Sequence, residues 1–214
     1  MQALTRLFER RGRIVHFFAE DVIFSRGTEI MHVYRVQSGT VMLHSSSLAG
    51  REIGFELLRA GDFFGMVPNL QRGIAGVDAT ALSECDLLAV DREAFADAIR
   101  TDIELTHEAL QVVAMRLARR TKQAEELALF AVRGRLARYV IGLAQQQNGS
   151  LRSEAKVRLA FSQKIMAAMA GISRETLNRQ FRSWIEAGVV SLEGKELRIL
   201  RPDHLIAFAG AAYD

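Results

Sequence analysis

The sequence predicts an α+β chain: an N-terminal antiparallel β-roll of jelly-roll type, a long dimerisation helix and a C-terminal winged helix-turn-helix. Three observations predict it. Short β runs recur at near-regular spacing from about residue 13 to 91, and a heptad pattern of mostly apolar residues follows from 103 to 131. Between 162 and 200 a helix, a tight turn, a second helix and a hairpin succeed one another. The expected divisions are 1–100 for the roll, 101–132 for the long helix and 133–214 for the helix-turn-helix.

The runs RIVHFF, DVIFSRG, HVYRVQSGTVMLHSS, REIGFELLRAGDFFG and VDATALSECDLLAV read as strands, with turns at Gly27, Ser38-Gly39, Ala49-Gly50 and Gly61-Asp62. Many short strands of this kind suggest a barrel or jelly roll. The period then changes. Residues 92–100 read as a short helix and 102–131 as a long one. In the long helix Ile103, Thr106, Leu110, Val113, Leu117, Arg120, Ala124, Leu127 and Ala131 follow alternating steps of three and four. Thirty helical residues span about 45 Å, too far to hide on one small roll. Leu110, Val113, Leu117 and Ala124 therefore form an expected seam with a second copy, and Ala114 and Ala118 allow close approach. Arg120 is the charged position on that seam, placed to fix register or meet a ligand.

VRGRLARYVIGLAQQQNG reads as a further amphipathic helix, with Arg133-Gly134 as the candidate hinge before it. Ser162 is an N-cap for the run that Gly171 closes. The turn Gly171-Ile172-Ser173 leads into RETLNRQFRSWIEAG, which stops at Gly188, and VVSLEGKELRIL folds back as a hairpin around Glu193-Gly194-Lys195. In the second helix Leu177, Phe181, Trp184 and Ile185 share an apolar side, expected to pack on Ile165 and Met169. Arg174, Glu175, Asn178 and Arg179 are left exposed at its N-terminal half. A helix N-terminus in a major groove has a use for them. Arg forks onto guanine O6 and N7, Glu accepts from cytosine N4, and Asn pairs with adenine. The competing use is an ordinary solvated face, with Glu175 and Arg179 paired at i, i+4.

Charge points the same way. The net charge is +3, but residues 133–214 carry 13 Lys/Arg against 7 Asp/Glu while residues 1–132 carry 15 against 18. A basic C-terminal third suggests a polyanion partner for one end only. With 49% hydrophobic and 25% charged residues the chain can bury a core, and no apolar run approaches bilayer length, so no membrane partner is expected. The start, MQALTRLFERRGRIVHFF, breaks its apolar residues with arginines and offers no small-residue cleavage site. Secretion is therefore not expected, and a reducing cytoplasm is. Cys85 is the only cysteine, which excludes an internal disulfide and any site built on several thiolates of one chain.

In SGTV, AGDFFG, VRGRLARYV and GISRETLNRQF the chain resembles the CRP/FNR transcription regulators over nearly its whole length. The last run is the most specific. The family's S-R-E-T and R-E-x-x-x-R pattern falls on Ser173, Arg174, Glu175, Thr176 and Arg179. The resemblance implies a cyclic-nucleotide-binding-like roll, a homodimer, double-stranded DNA as partner and contact with RNA polymerase. It implies that Arg174, Glu175 and Arg179 read base edges, with Asn178 beside them. Ser162 and Gln163 would meet phosphate with Lys164 nearby, and Ser173, Thr176, Arg182 and Lys195 are the other expected backbone contacts. The sequence also fits the related E-x-x-S-R pattern, with Asn178 in place of serine. A pseudo-palindrome of TGTGA-like or TTGA-like half-sites is expected, and Arg174 favours the first.

The effector cassette departs from the family. Its cyclic-nucleotide binders carry F-G-E-L…R-S-A, the Glu for ribose and the Arg for phosphate, whereas this chain has FFGMVPNLQRGIAGVDATA. Met66 follows Gly65 where the Glu would stand, Ala75 and Gly76 fall at the Arg and Ser positions, and Arg72 comes three residues early. The family's small polar pair on the long helix falls at Arg120-Thr121. A phosphate without a cation is costly to desolvate, so cyclic AMP is not expected. The single cysteine excludes an iron–sulfur cluster. Haem would need an axial ligand from His16, His32, His44 or His107, and Cys85 in its apolar strand reads as inert core. The signal stays open. A cupin-type metal enzyme would need a His-x-His pair, which is absent, so no catalytic activity is expected. The alternative readings are a sensing module acting on a protein partner and a haem- or redox-sensing regulator of the same fold.

Overall fold

A computed structural model of the chain describes residues 1–47, 52–70 and 73–210. The turn expected at Ala49-Gly50 and the side chain of Arg72 lie outside the described residues. The chain gathers into two compact units, one of Met1–Ser45 and Phe55–Arg120, the other of Ser46–Gly54 and Thr121–Asp214.

The first unit opens with α1 (Gln2–Arg11), then β1 (Arg13–Phe17), β2 (Val22–Phe24), β3 (His32–Ser38) and β4 (Val41–Ser46). β5 (Glu52–Leu58), β6 (Phe63–Phe64), α2 (Met66–Leu70), β7 (Asp78–Ala81), β8 (Cys85–Asp91) and α3 (Arg92–Thr101) follow. Two four-stranded sheets, ordered β1-β8-β3-β6 and β2-β7-β4-β5, make the roll. Strand alternation sorts its side chains. Cys85, Leu87 and Ala89 of β8 join Tyr34, Val36, Val41, Leu43, Phe64 and Ala79 in one core. Leu88 and Val90 point to the other face, where Leu4, Phe8, Phe95, Leu105 and Val112 cover them. The turn between β3 and β4 requires glycine: Gly39 has φ +84°, and a Cβ there would stand 2.2 Å from the Glu84 carbonyl oxygen.

α1 and α2 are additions to the expected pattern. The signal for α1 was Leu4 and Phe8 at i, i+4, both buried. A carboxylate ties α1 down. Glu108, on the long helix α4 (Ile103–Leu129), accepts from the backbone N–H of Gln2 at 2.7 Å and of Leu4 at 2.8 Å. N–H groups of a first helical turn have no partner within the helix, and a negative charge there is favoured.

Burial along α4 follows the expected seam positions only in part. Leu105, Glu108, Ala109 and Val112 are buried in the first unit, which leaves Ile103, Leu110 and Leu117 exposed. Val113 and Arg120, placed on the expected seam, are only half-exposed, because they lie nearer the buried side of the helix. Arg120 places its guanidinium 4.5 Å over the Phe55 ring. The exposed companions of Ile103, Leu110, Leu117 and Ala124 are His107, Ala114, Thr121 and Ala128, each four residues further on.

In the second unit α4 gives way to α5 (Val132–Asn148) across Ala131, whose backbone at φ −57° and ψ 158° makes the break. The change of direction thus precedes the expected hinge, since Gly134 is buried in the first turn of α5 and Arg133 stacks on Phe208. β9 (Ala155–Arg158), α6 (Gln163–Met169), α7 (Arg174–Glu186), β10 (Val190–Glu193), β11 (Glu196–Ile199) and α8 (Pro202–Gly210) complete the unit. β9 extends the hairpin to a sheet ordered β10-β11-β9. Leu136, Ala137, Val140 and Ala144 pack with Met166, Ala167, Ala170, Leu177, Phe181 and Trp184 over Val157, Leu197 and Ile199. The buried side of α6 is therefore Met166, Ala167 and Ala170, while Ile165 and Met169 are half-buried. Ile185 is 42% exposed, because it sits about 100° round the helix from Trp184.

Burial alone would raise the Glu108 carboxyl, but the N–H groups of Leu4, Ala3 and Gln2 outweigh it and hold it below the usual glutamate range. A carboxyl lowered in this way adds stability above its unfolded value, and that stability is lost as pH falls through the folded one. Glu108→Gln is expected to cost about 1–3 kcal/mol at neutral pH in urea unfolding. The gap from the unaltered chain should close as pH drops below 4.5, the ordinary value; a gap constant with pH would place the effect elsewhere.

Candidate nucleic-acid interface

Two serine caps and one arginine shape the helix–turn–helix. The Ser162 Oγ accepts from the Ile165 N–H at 3.4 Å, which starts α6. The Ser173 Oγ accepts from the Thr176 N–H at 3.2 Å and donates to the Thr176 Oγ1 at 3.0 Å, which starts α7. Between them Gly171 takes φ +64° and ends α6. Arg135 of α5 donates to the carbonyls of Ala170 at 3.4 Å and Gly171 at 3.2 Å, fastening the turn from behind.

Burial of Leu177, Phe181 and Trp184 turns the other side of α7 outward. Arg174, Glu175, Arg179 and Arg182 are exposed there, and Thr176 and Asn178 are half-exposed at its edge. The Glu175 carboxyl is held below its ordinary range by its own backbone N–H first, then by the Ser173 hydroxyl and the Arg174 charge. It is an ionised acceptor at neutral pH. Among the described residues Arg179 and Arg182 form no ion pair, so the i, i+4 spacing of Glu175 and Arg179 is not spent on one. The four residues expected at base edges thus share one half of one helix, with cations and an anion side by side.

The other expected contacts are more dispersed. Gln163 is half-buried in the first turn of α6, and the Lys164 Nζ lies 2.8 Å from Glu52 Oε1. Lys195 is exposed after Gly194 at the tip of the hairpin, where its carbonyl accepts from the Leu159 N–H at 2.7 Å. Sequence reasoning missed the outward cations of the sheet, Lys156 and Arg158 on β9 and Arg198 opposite Lys156 on β11. Lys156 pairs with Glu196 at 2.9 Å and Arg198 with Glu154 at 3.5 Å. The available signal was the alternation Ala155-Lys156-Val157-Arg158, four residues long.

Two family models match the chain: the cyclic nucleotide-binding domain over residues 14–102 and the Crp-like helix-turn-helix domain over residues 134–208. The cyclic AMP receptor protein of Thermus thermophilus is 32% identical over 170 residues, covering 79% of this chain and 76% of that protein. The chain belongs to the CRP/FNR family. A CRP-like cAMP-activated global transcriptional regulator of Mycobacterium tuberculosis is 29% identical over 195 residues, 89% of this chain and 85% of that one. Among solved structures, the fold is shared with the regulator CLP of Xanthomonas campestris, at a TM-score of 0.80 and 20% identity over 93% of this chain and 98% of that one. FixK2 of Bradyrhizobium japonicum gives a TM-score of 0.76 at 18% identity, over 94% and 99%. As a CRP/FNR member this chain is a transcription regulator with a helix-turn-helix DNA-binding domain, in a family of regulators rather than enzymes.

At the cassette positions the described residues are apolar or small. Met66, following Gly65 at φ +82°, is fully buried with Phe8, Phe63 and Phe95, on the helix-covered face of the sheet. Ala75 is part of the core between the sheets, and Gly76 has open space beside it. Between the sheets the rings of Phe24, Tyr34 and Phe64 lie 5.0 to 6.4 Å apart. Arg120 lies over Phe55, and burial lowers its pKa; Thr121 is exposed.

The histidines have local uses. His16 bonds Asp86 at 2.9 Å, His32 bonds Asp91 at 3.0 Å, and His44 bonds the Thr80 hydroxyl at 2.9 Å, while His107 is exposed on α4. Cys85 is buried, with its Sγ 3.4 Å from the Thr40 carbonyl oxygen. Among the described residues no three His, Cys, Asp or Glu side chains gather as a metal site, and no helix is long and apolar enough to cross a membrane.

Ser173→Ala is expected to lose about 1 kcal/mol of stability in urea unfolding through loss of the α7 cap. Ser183→Ala, an exposed position of the same helix, should change it by less than about 0.5 kcal/mol.

Proposed function

We propose that two copies of the chain pair along α4 and insert their α7 helices into successive major grooves of one duplex. The target is a pseudo-palindrome with TGTGA-like or TTGA-like half-sites. Arg174, Glu175, Asn178 and Arg179 read base edges. Ser162, Gln163, Lys164, Ser173, Thr176, Arg182 and Lys195 hold the phosphate backbone. The roll at 1–100 receives a signal whose chemistry differs from cyclic AMP, residues 101–132 pair the copies, and residues 133–214 bind DNA. The regulator works in the cytoplasm and meets RNA polymerase at its promoters.

The observation that carries this reading is the exposed polar half of α7, anchored by its buried apolar side. Pairing is supported by α4, where Ile103, Leu110 and Leu117 stand at seven-residue steps with 86%, 63% and 66% of their surface exposed. A regular apolar stripe facing water is the mark of an interface.

The test is a titration of the full chain with half-site duplexes at several salt concentrations. Affinity should fall steeply as salt rises. Arg179→Ala should lose about 1–3 kcal/mol on the preferred duplex and blunt discrimination at one base pair. Equal weakening on every duplex would remove Arg179 from the base-reading set.

A further inference from the structure

Within the second unit, the first residues of β5 lie against α6. Glu52 Oε1 is 2.8 Å from the Lys164 Nζ in the first turn of that helix. A Cβ on Gly54 would stand 2.6 Å from the Met169 Sδ and 3.3 Å from the Met169 nitrogen, at the other end of the same helix. The Gly54 carbonyl accepts from the Gln123 Nε2 at 2.8 Å. Glu52 and Gly54 therefore touch the two ends of α6, and Gly54 is held by α4. Gly54 permits this approach, because any side chain there would strike Met169.

Lys164 is the one charged residue of α6. A lysine at 2.8 Å from a carboxylate is not free for a phosphate, and a carboxylate at that place repels one. The next residues of the strand are also tied by arginines: Glu56 pairs with Arg116 at 3.0 Å and Arg119 at 2.9 Å.

We propose that Glu52–Gly54 is a built-in brake on DNA binding: Glu52 occupies Lys164 in the resting chain, and full backbone contact by α6 requires that pair to open. The brake rests on the proposed reading of α6 as a phosphate-contacting helix. Lys164 has 67% of its side chain exposed, so the pair is weak and the brake sets a few-fold threshold rather than a block.

The probe is a mixed-sequence duplex of about three helical turns, titrated with the full chain from low to moderate salt. Glu52→Gln should tighten binding about threefold and steepen the salt dependence by about one phosphate contact per chain. Gly54→Ala, which pushes the strand off Met169, should shift affinity in the same direction. Both gains should vanish in a Lys164→Gln background. A gain of undiminished size in that background would be a general charge effect and would overturn the brake. So would unchanged affinity and slope in Glu52→Gln while the unaltered chain binds the duplex. Failure of the unaltered chain to bind any duplex would overturn the DNA reading of α6 and the brake with it.

Discussion

Burial of Leu177, Phe181 and Trp184 against α5 and α6 is the interaction on which the functional surface depends. These side chains lie at i, i+4 and i+7, so together they fix how α7 is rotated about its axis. Each contributes about 1.5–3 kcal/mol by leaving water, more than an exposed polar contact returns. Packing therefore decides that Arg174, Glu175 and Arg179 face outward, and the polar residues contribute little to that choice. Trp184 stacks on Phe208 with ring centroids 5.9 Å apart, while its Nε1 finds no hydrogen-bond partner in the protein. Its role is volume. The caps at Ser162 and Ser173 then determine where each helix begins, and Arg135 holds the carbonyls between them.

Much of this was legible in the sequence, because two periods are enough to separate roll from helices. The strands of the roll, the capped helix pair and the hairpin all appear where alternation and turn residues place them. What periodicity cannot report is the partner. Leu110 and Val113 are both apolar and three apart, so either suits a seam; packing of Leu105, Ala109 and Val112 within the chain half-covers Val113 and leaves Leu110 out. The hinge was expected at Arg133-Gly134, between the two helices, yet the extended backbone falls on Ala131 and Gly134 is buried within α5. β9 was missed because four alternating residues barely exceed chance. Glu52 and Lys164 are 112 residues apart, and nothing local in either stretch announces their meeting.

In the roll, the cassette positions carry structural side chains. Gly65 has a positive φ of 82°. The side chains that would serve an anionic nucleotide are replaced by methionine, alanine and glycine among the described residues. Met66 packs among the helices that cover the sheet, and Tyr34 stacks with Phe24 and Phe64 between the sheets.

In the proposed dimer, two copies joined along α4 would impose a fixed distance between their α7 helices, and that distance would have to match the DNA. Native mass spectrometry and affinity measurement on duplexes with two half-sites test it directly. With half-sites about one helical turn apart, two chains per duplex and the tightest binding are predicted. Inserting about half a turn, roughly five base pairs, should abolish that tight two-chain complex. One chain per duplex, or affinity indifferent to the insertion, would contradict pairing along α4.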